Sequence, residues 1–351
     1  MAAGSWFDWS TGDLVTEAKF QDIQDSIVFI YDSDSAANTT LTNKVEGTVY
    51  FNTTDDVLKF WDGSAWQEIS GVDAFQVQAL VIGGGGGSGS FEGAGGAGGY
   101  ISTVDSENTG GGTASNKFFA TPSTNYVVSI GAGGTGGAYN PTTTGTRGSE
   151  TYFASLTAVG GGNGSNGTTT IGEIGGSGGG SNNATAAIGI VNQGFDSGTG
   201  GGLVYQPSGG GGAGSVGGSW SAPAGGNGGS GVSSSITGSS VGRAGGGGAG
   251  GTDFYSPNRT AGTATDGGGA GGFDTTGTSG TANTGGGGGA GGLNTAGNSV
   301  AAGGNGGSGV VILKYPDTYT ISQSGLTIST STSGGFSVTS ITAGTGTVSW
   351  S

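Results

Sequence analysis

Alternating apolar and polar residues mark the expected β-strands of this chain. Residues 75–82 alternate, become wholly apolar and run directly into a glycine run that begins at Gly83. Residues 125–130 and 152–159 enter glycine runs in the same way, and residues 310–315 leave one. Strands thus precede and follow the glycine-rich segments, which predicts a β-sandwich base from which those segments project.

Clustered glycines dominate the chain between these strands. Glycine supplies 89 of 351 residues, in runs such as 83–87, 209–212, 245–248 and 285–289. A flexible linker is the usual interpretation, but these runs alternate with short stretches that carry Trp, Tyr, Phe and Leu, which a linker does not need. Six prolines and the lack of a sustained Gly-X-Y period exclude collagen. We therefore predict short glycine helices of the polyproline-II type, packed side by side and hydrogen-bonded to one another.

The N-terminal part predicts one helix. Residues 13–30 form the candidate, with Asp13 as N-cap after a glycine. Four apolar residues follow the 3-4-3 spacing of a coiled-coil seam: Phe20, Ile23, Ile27 and Ile30. A helix that packs on its own domain explains the same spacing, so both interpretations stay open.

Two further segments, which contain no long glycine runs, are also predicted to form β-structure. Residues 47–69 predict a β-meander, because three β-rich runs are joined by turn sequences: 48–51, 57–61 and 66–69, with turns at 52–56 and 62–65. The tail alternates in short runs with Gly or Ser between them: 318–322, 326–330, 336–341 and 347–350. The tail is therefore expected to form a small all-β module. The predicted fold class is mainly β, with few α-helices and a polyglycine-II bundle.

Charge divides the chain unevenly. Residues 1–73 hold 13 of the 23 acids and three of the eight Lys and Arg residues, whereas the rest of the chain is nearly neutral. This boundary predicts an N-terminal module over residues 1–73, a base with the glycine-rich domain over residues 74–316, and a C-terminal module over residues 317–351.

Composition excludes several kinds of chemistry. The chain has no His, no Cys and one Met, which excludes zinc clusters, disulfides, Ser-His-Asp triads, Cys-His dyads and haem ligation by these residues. A net charge of -15 argues against a nucleic-acid partner, because phosphates must be neutralised by Lys and Arg. The longest apolar stretch, residues 27–31, is far too short to span a membrane, and no secretory signal is evident.

Cofactor sites and catalysis are not expected. The match of residues 83–89 to G-x-G-x-x-G carries little information at this glycine content, and a poor helix former follows it. A P-loop is missing, and the calcium-binding nonapeptide repeat does not recur; calcium on the acidic N-terminal part stays open. Asp55 with Asp56, or Asp253 with Asp266, could face a sugar, but turn formation and solvation explain these acids more simply.

Two motifs resemble a known class of proteins. Residues 47–69 resemble the Phe-Asn-Thr…Leu-x-x-Trp-Asp-Gly-Ser-Ala-Trp hairpin that is common in phage fibre and virion-surface proteins. The succession of strand, glycine run, residues 233–240, glycine run and residues 307–316 resembles glycine-rich tail-fibre proteins of bacteriophages, particularly marine ones. The two matches cover most of residues 45–320. The hairpin is fairly specific to phage structural proteins, whereas glycine richness alone is not.

The resemblance implies a function without catalysis. It implies a homotrimeric tail-fibre or adhesin subunit in the virion, which contacts other tail proteins and binds a host-surface glycan or outer-membrane protein through loops at the free end. A virion decoration or tail accessory protein without receptor contact is the main alternative. An ice- or surface-binding protein built on the same glycine helices is another. The β-rich tail departs from the family and leaves open which end is distal.

Candidate residues follow from these expectations. Exposed aromatic side chains stack on sugars and anchor interfaces, although aromatic residues that simply cap the bundle explain the same pattern. The receptor-binding candidates are Tyr205, Trp220, Phe254, Tyr255, Asn258 and Arg259. Arg243 lies between Gly242 and Ala244 in the glycine-rich scaffold and is expected to have a structural role. Residues 1–73 are expected to attach the protein to the virion, with the candidates Trp6, Phe7, Trp9, Phe20, Ile23, Ile27 and Ile30.

Which loops share the free end is ambiguous from the sequence. Successive glycine-rich segments are expected to cross the bundle in alternate directions, and each crossing is called a pass. Counting passes back from residue 310 puts residues 293–302, 252–266 and 219–224 at the free end. Counting forward from Gly160 instead favours residues 168–174 and 203–208. The two counts conflict by one pass.

Overall fold

The chain divides into two compact units, Met1–Asp73 and Ala74–Ser351. A computed structural model describes the following residues: 29–54, 57–68, 74–90, 92–139, 143–166, 171–202, 206–251, 260–293 and 301–351. Within these ranges the protein is mainly β, with one short helix. The predicted helix lies outside the described residues up to residue 28.

The first unit contains a four-stranded sheet in the order β1-β2-β3-β4. Its strands are β1 (Phe29–Tyr31), β2 (Val49–Asn52), β3 (Val57–Trp61) and β4 (Trp66–Glu68). Strands β2 to β4 pair in antiparallel order, which confirms the predicted meander. Strand β1 pairs in parallel with β2, so the helix prediction was wrong at Phe29 and Ile30. The aromatic and β-branched run Phe-Ile-Tyr favours a strand once a partner edge is present.

A short helix that the sequence analysis missed connects β1 to β2. Helix α1 (Asp34–Thr40) begins after Ser33, whose Oγ accepts a hydrogen bond from the Ala36 N–H at 3.2 Å. Its seven residues are too few to show a hydrophobic period, so the available signal was the capping pair Ser33–Asp34. Four buried residues form the core of the unit: Ala37, Leu41, Tyr50 and Trp66.

The second unit is built on a nine-stranded sheet in the order β10-β9-β8-β15-β13-β5-β6, with β14 paired to β15 and β7 paired to β5. The first strands are β5 (Phe75–Ile82), β6 (Tyr100–Ser102), β7 (Phe118–Ala120), β8 (Tyr126–Ser129), β9 (Thr151–Phe153) and β10 (Leu156–Ala158). The last three are β13 (Val310–Pro316), β14 (Ile321–Ser333) and β15 (Phe336–Trp350). A separate hairpin consists of β11 (Val232–Ser234) and β12 (Val241–Arg243).

The base is a single nearly closed, barrel-like sheet, not the predicted two-sheet sandwich. The β14–β15 ladder contains register shifts between Ser324 and Leu326 and between Thr327 and Ile328. Such irregularities increase strand twist, which helps one sheet to curl around its own core. Trp350 is fully buried there, with its ring centroid 5.7 Å from those of Tyr126 and Tyr315.

The C-terminal residues belong to this same sheet. The four short runs predicted in the tail form two long strands, and β15 pairs with β13 and β8 as well as with β14. The predicted separate module over residues 317–351 is therefore integrated into the base. The strands continue through Gly325 and Gly344, whose positive φ angles of 76° and 105° require glycine.

The glycine-rich segments hydrogen-bond to one another in several directions. From Gly83 onward each backbone N–H donates to a different neighbour, and the same neighbour recurs every third residue. Gly85 and Ser88, for example, donate to the carbonyls of Gly307 and Gly304 at 2.9 and 3.2 Å. Donors and acceptors together join residues 83–89 to six surrounding segments.

Close backbone approach explains the glycine content of these segments. A Cβ placed on Gly86 would lie closer than 3.0 Å to the Gly162 carbonyl, and one on Gly95 would meet the Gly86 carbonyl. Real side chains do not pack at such distances. The backbone contacts thus depend on glycine at these positions.

Candidate functional site

The glycine-rich segments reverse direction at two ends. Residues 83–89 leave β5 and return as residues 93–99, with hydrogen bonds of 2.9 Å from Gly83 to Gly99, from Gly86 to Gly96 and from Gly89 to Gly93. This first reversal lies at the end opposite the sheet. We call that end the far face, and it is defined by the described residues at its reversals: Ser90, Glu92, Tyr139, Asn166, Asn182, Trp220, Gly251, Phe273 and Leu293.

Hydrogen bonds link neighbouring reversals across the far face. Gly250 donates to the carbonyl of Glu92, Gly251 to that of Gly272, and Leu293 to that of Gly251, at 3.3, 2.9 and 3.1 Å. Gly225 donates to the Thr260 carbonyl at 2.9 Å. Residues on both sides of segment 252–259 therefore lie at the far face.

The structure explains the conflict between the two pass counts. Residues 209–218 do not form one pass, because Gly209 pairs with Gly218 and Gly212 with Ser215, so the chain reverses near the sheet. With this extra reversal, both counts lead to the same end. The described residues on either side of four segments lie at the far face: 167–170, 203–205, 252–259 and 294–300.

Three aromatic side chains are described at the far face. Tyr139 and Phe273 are 39% and 37% exposed, and Trp220 is partly buried. The Phe273 ring lies against the backbone of Gly251, with which Phe273 forms a β-bridge. The Phe273 ring is thus fixed against the backbone of a neighbouring reversal while part of it remains accessible. Tyr139 and Phe273 join the six receptor-binding candidates because the structure places both at the far face.

Of the six predicted receptor contacts, one lies in the described part of the chain. Tyr205, Phe254, Tyr255, Asn258 and Arg259 lie outside the described residues, whereas Trp220 lies at the far face. In the first unit, Trp6, Phe7, Trp9, Phe20, Ile23 and Ile27 are also outside the described residues. The structure describes Ile30 in β1, where 67% of the side chain is exposed.

Arg243 occupies a scaffold position close to the sheet. It lies in β12 and is 9% exposed, and burial lowers the pKa of its guanidinium. The adjoining hairpin residue Ser235 donates from its N–H and its Oγ to Oε1 of Glu107, at 2.8 and 2.9 Å. These contacts hold the β11–β12 hairpin against the loop after β6. Arg243 is thus distant from the far face.

The first unit contains a compact polar cluster. Lys59 Nζ lies 2.9 Å from Oδ1 of Asp34, and the Tyr50 hydroxyl donates to the same oxygen. Burial acts to raise the pKa of Asp34, but the hydrogen bonds from Tyr50 and Lys59 outweigh it and lower that pKa. Burial, reinforced by Asp34, raises the pKa of Tyr50 to about 12. The cluster joins α1 to the sheet.

In the described ranges, no group of three or more His, Cys, Asp or Glu residues is placed to hold a metal ion. The described part of the chain likewise contains no helix with the length and apolar character of a membrane span.

Comparison with known proteins identifies one family. A family model described as a glycine-rich domain matches residues 64–316. No curated protein and no solved structure shows significant similarity to the chain. The match spans β4, most of the sheet and all the glycine-rich segments.

Proposed function

The chain belongs to the glycine-rich domain family, and from this premise we propose that its glycine-rich region is a bundle of polyglycine-II helices that presents a binding face. Polyproline-II geometry has three residues per turn, and the hydrogen bonds of residues 83–89 repeat every third residue. A central segment with six hydrogen-bonded neighbours is consistent with such packing. The backbone contacts that exclude a Cβ support it further.

We propose that the protein is a phage tail-fibre or adhesin subunit that binds a host cell surface without chemical change. The observation that carries this proposal is the far face, where the reversals of the glycine-rich segments meet and where Tyr139, Trp220 and Phe273 lie. Loops that a rigid scaffold positions often carry binding. Partly exposed aromatic rings on fixed backbone lose little conformational freedom when they contact a glycan or a protein.

The remaining parts receive complementary roles in this proposal. The acidic first unit attaches the protein to other tail proteins in the virion, and the fibre-type hairpin at residues 47–69 supports that assignment. The resemblance to phage fibres implies a homotrimer, and the low apolar content of 32%, which leaves each chain with little core of its own, favours association between copies. Three far faces per trimer then strengthen weak individual contacts through avidity.

Binding of the purified full-length protein to bacterial cells tests the receptor role. Trp220→Ala combined with Phe273→Ala should reduce binding to a susceptible host about tenfold or more, equivalent to about 1.4 kcal/mol or more. The matched control is Phe119→Ala, because Phe119 is an aromatic residue on β7 that is 54% exposed and lies away from the far face. This control should bind like the wild type.

The same experiment separates the receptor role from the alternative. Unchanged cell binding by the far-face variant, with normal folding, contradicts a receptor site there. A virion decoration or tail accessory role would then explain a protein that incorporates into particles without contacting the host.

A further inference from the structure

A second candidate site lies near the sheet, at the opposite end of the glycine-rich segments from the far face. A groove of about 310 Å³ opens between the loop of residues 109–116 and the turn of residues 191–193. We call it the near-sheet groove. Ile101 of β6 contributes to its lining.

The walls of the near-sheet groove are held by hydrogen bonds to the sheet. The backbone N–H of Tyr100 in β6 donates to the Gln193 carbonyl at 2.9 Å, and the backbone N–H of Ser115 donates to the Ser102 carbonyl at 3.0 Å. The Gln193 side chain accepts from the Val159 N–H and donates to the Thr157 carbonyl, at 2.8 and 3.1 Å. The groove is consequently formed before any ligand arrives, which reduces the entropic cost of binding.

The lining is polar but carries no charge. Its side chains are hydroxyls and amides beside three apolar groups, Ile101, Ala114 and Val191. Thr109 and Gln193 use their polar atoms within the protein. Among the residues described here, Thr113, Asn116 and Asn192 make no side-chain hydrogen bond, so their polar atoms are available.

The geometry points to a neutral saccharide as the ligand. We propose that hydroxyl groups of the sugar bond to Thr113, Asn116 and Asn192, while a C–H face of the ring packs on Val191, which is 79% exposed. An uncharged lining offers no favourable charge–charge interaction to a phosphate or to a cation. A ring that alternates hydroxyls with C–H groups matches both kinds of lining surface. This inference stands whether or not the far face binds a receptor.

Titration with simple sugars tests the proposal on the full-length protein. The probes are the methyl glycosides of glucose, galactose, mannose and N-acetylglucosamine, followed by backbone amide NMR up to about 50 mM, since single-sugar contacts are expected near the millimolar range. At least one sugar should shift amides of residues 109–116 and 191–193. No shift with any of the four sugars overturns the proposal, as does binding confined to other residues.

Paired variants identify the side chains responsible. Asn192→Gly with Asn116→Ala should weaken the binding about tenfold or more; glycine preserves the positive φ of 62° at residue 192. Asn125→Ala is the matched control, because Asn125 is exposed and lies outside the groove lining. Wild-type affinity in the double variant, or equal weakening in the control, contradicts the assignment.

Discussion

The Ser88 hydroxyl donates a buried hydrogen bond of 2.7 Å to the carbonyl of Gly289, 201 positions further along the chain. Strands β5 and β13 pair at a similar separation, with Ile82 opposite Val310. The first glycine run therefore reaches its final environment only when the last segments are in place. Contacts between such distant positions make folding of the second unit dependent on most of its length.

Removal of the Ser88 hydroxyl tests this long-range contact. Ser88→Ala should lower the free energy of unfolding by about 0.5–1.5 kcal/mol, because the Gly289 carbonyl loses one buried hydrogen bond and keeps the one from the Gly304 N–H. Denaturant unfolding measures the change. Ser331→Ala, at an exposed position of β14, serves as the control and should alter stability by less than about 0.5 kcal/mol. Equal effects of the two changes would argue against a specific role for the Ser88 bond.

Close backbone packing makes a second prediction. Gly86→Ala should destabilise the protein by about 3 kcal/mol or more, because the new methyl group meets the Gly162 carbonyl and backbone must move. Gly238→Ala is the control: its φ is 90° but no atom lies within 4 Å of the added Cβ. That change should cost only about 1–2 kcal/mol of backbone strain. Thermal unfolding of both variants gives the comparison, and similar losses would contradict the packing argument.

The sequence predicted the strands best where a local pattern determines them. β5 was predicted at residues 75–82 and is observed at Phe75–Ile82, and the meander strands also lie where alternation and turn residues place them. Helix α1 is too short for periodicity. The curvature of the sheet depends on pairing between distant strands, such as β15 with β8, which no local pattern reports.

The candidate site was less predictable for a related reason. The far face exists because many reversals fall in one layer, and a single missed reversal at residues 209–218 inverted the pass count. Glycine runs have no side chains to mark where one pass ends. The near-sheet groove combines residues 109–116 with residues 191–193, a pairing set by the Tyr100–Gln193 hydrogen bond and not by any motif.

Integration of the tail into the sheet has a measurable consequence. Deletion of residues 317–351 should prevent folding of the second unit, because β15 lies between β8 and β13 in the sheet and also pairs with β14. Trp350→Ala alone should cost about 3–5 kcal/mol, as expected when a fully buried large aromatic side chain is removed. Circular dichroism and thermal unfolding measure both effects. A folded deletion variant with unchanged stability would support the separate module that the sequence predicted.

The polar cluster of the first unit predicts a dependence on alkaline pH. The folded pKa of Tyr50, about 12, exceeds its ordinary value of 10.0, so the hydroxyl contributes stability below pH 10 that is lost as pH rises towards 12. Subtracting the tyrosinate absorbance titration of Tyr50→Phe from that of the wild type isolates this residue. The difference should have a midpoint near pH 12. A midpoint near pH 10 would show that burial and Asp34 do not act on the hydroxyl as described.

The far face can also be tested without removing any aromatic side chain. The sequence contains no cysteine, so one introduced thiol gives a unique attachment point for a bulky maleimide–polyethylene glycol label. Thr276→Cys places the label beside Phe273 at the far face, whereas Val216→Cys places it at the reversal near the sheet, and both positions are exposed. The label at residue 276 should block binding to host cells by occupying the space in front of the far face. The label at residue 216 should leave binding intact, and the unlabelled variants should both bind normally. Blocking from residue 216 alone would move the receptor site to the sheet end, and blocking from neither would leave the far face without a receptor role.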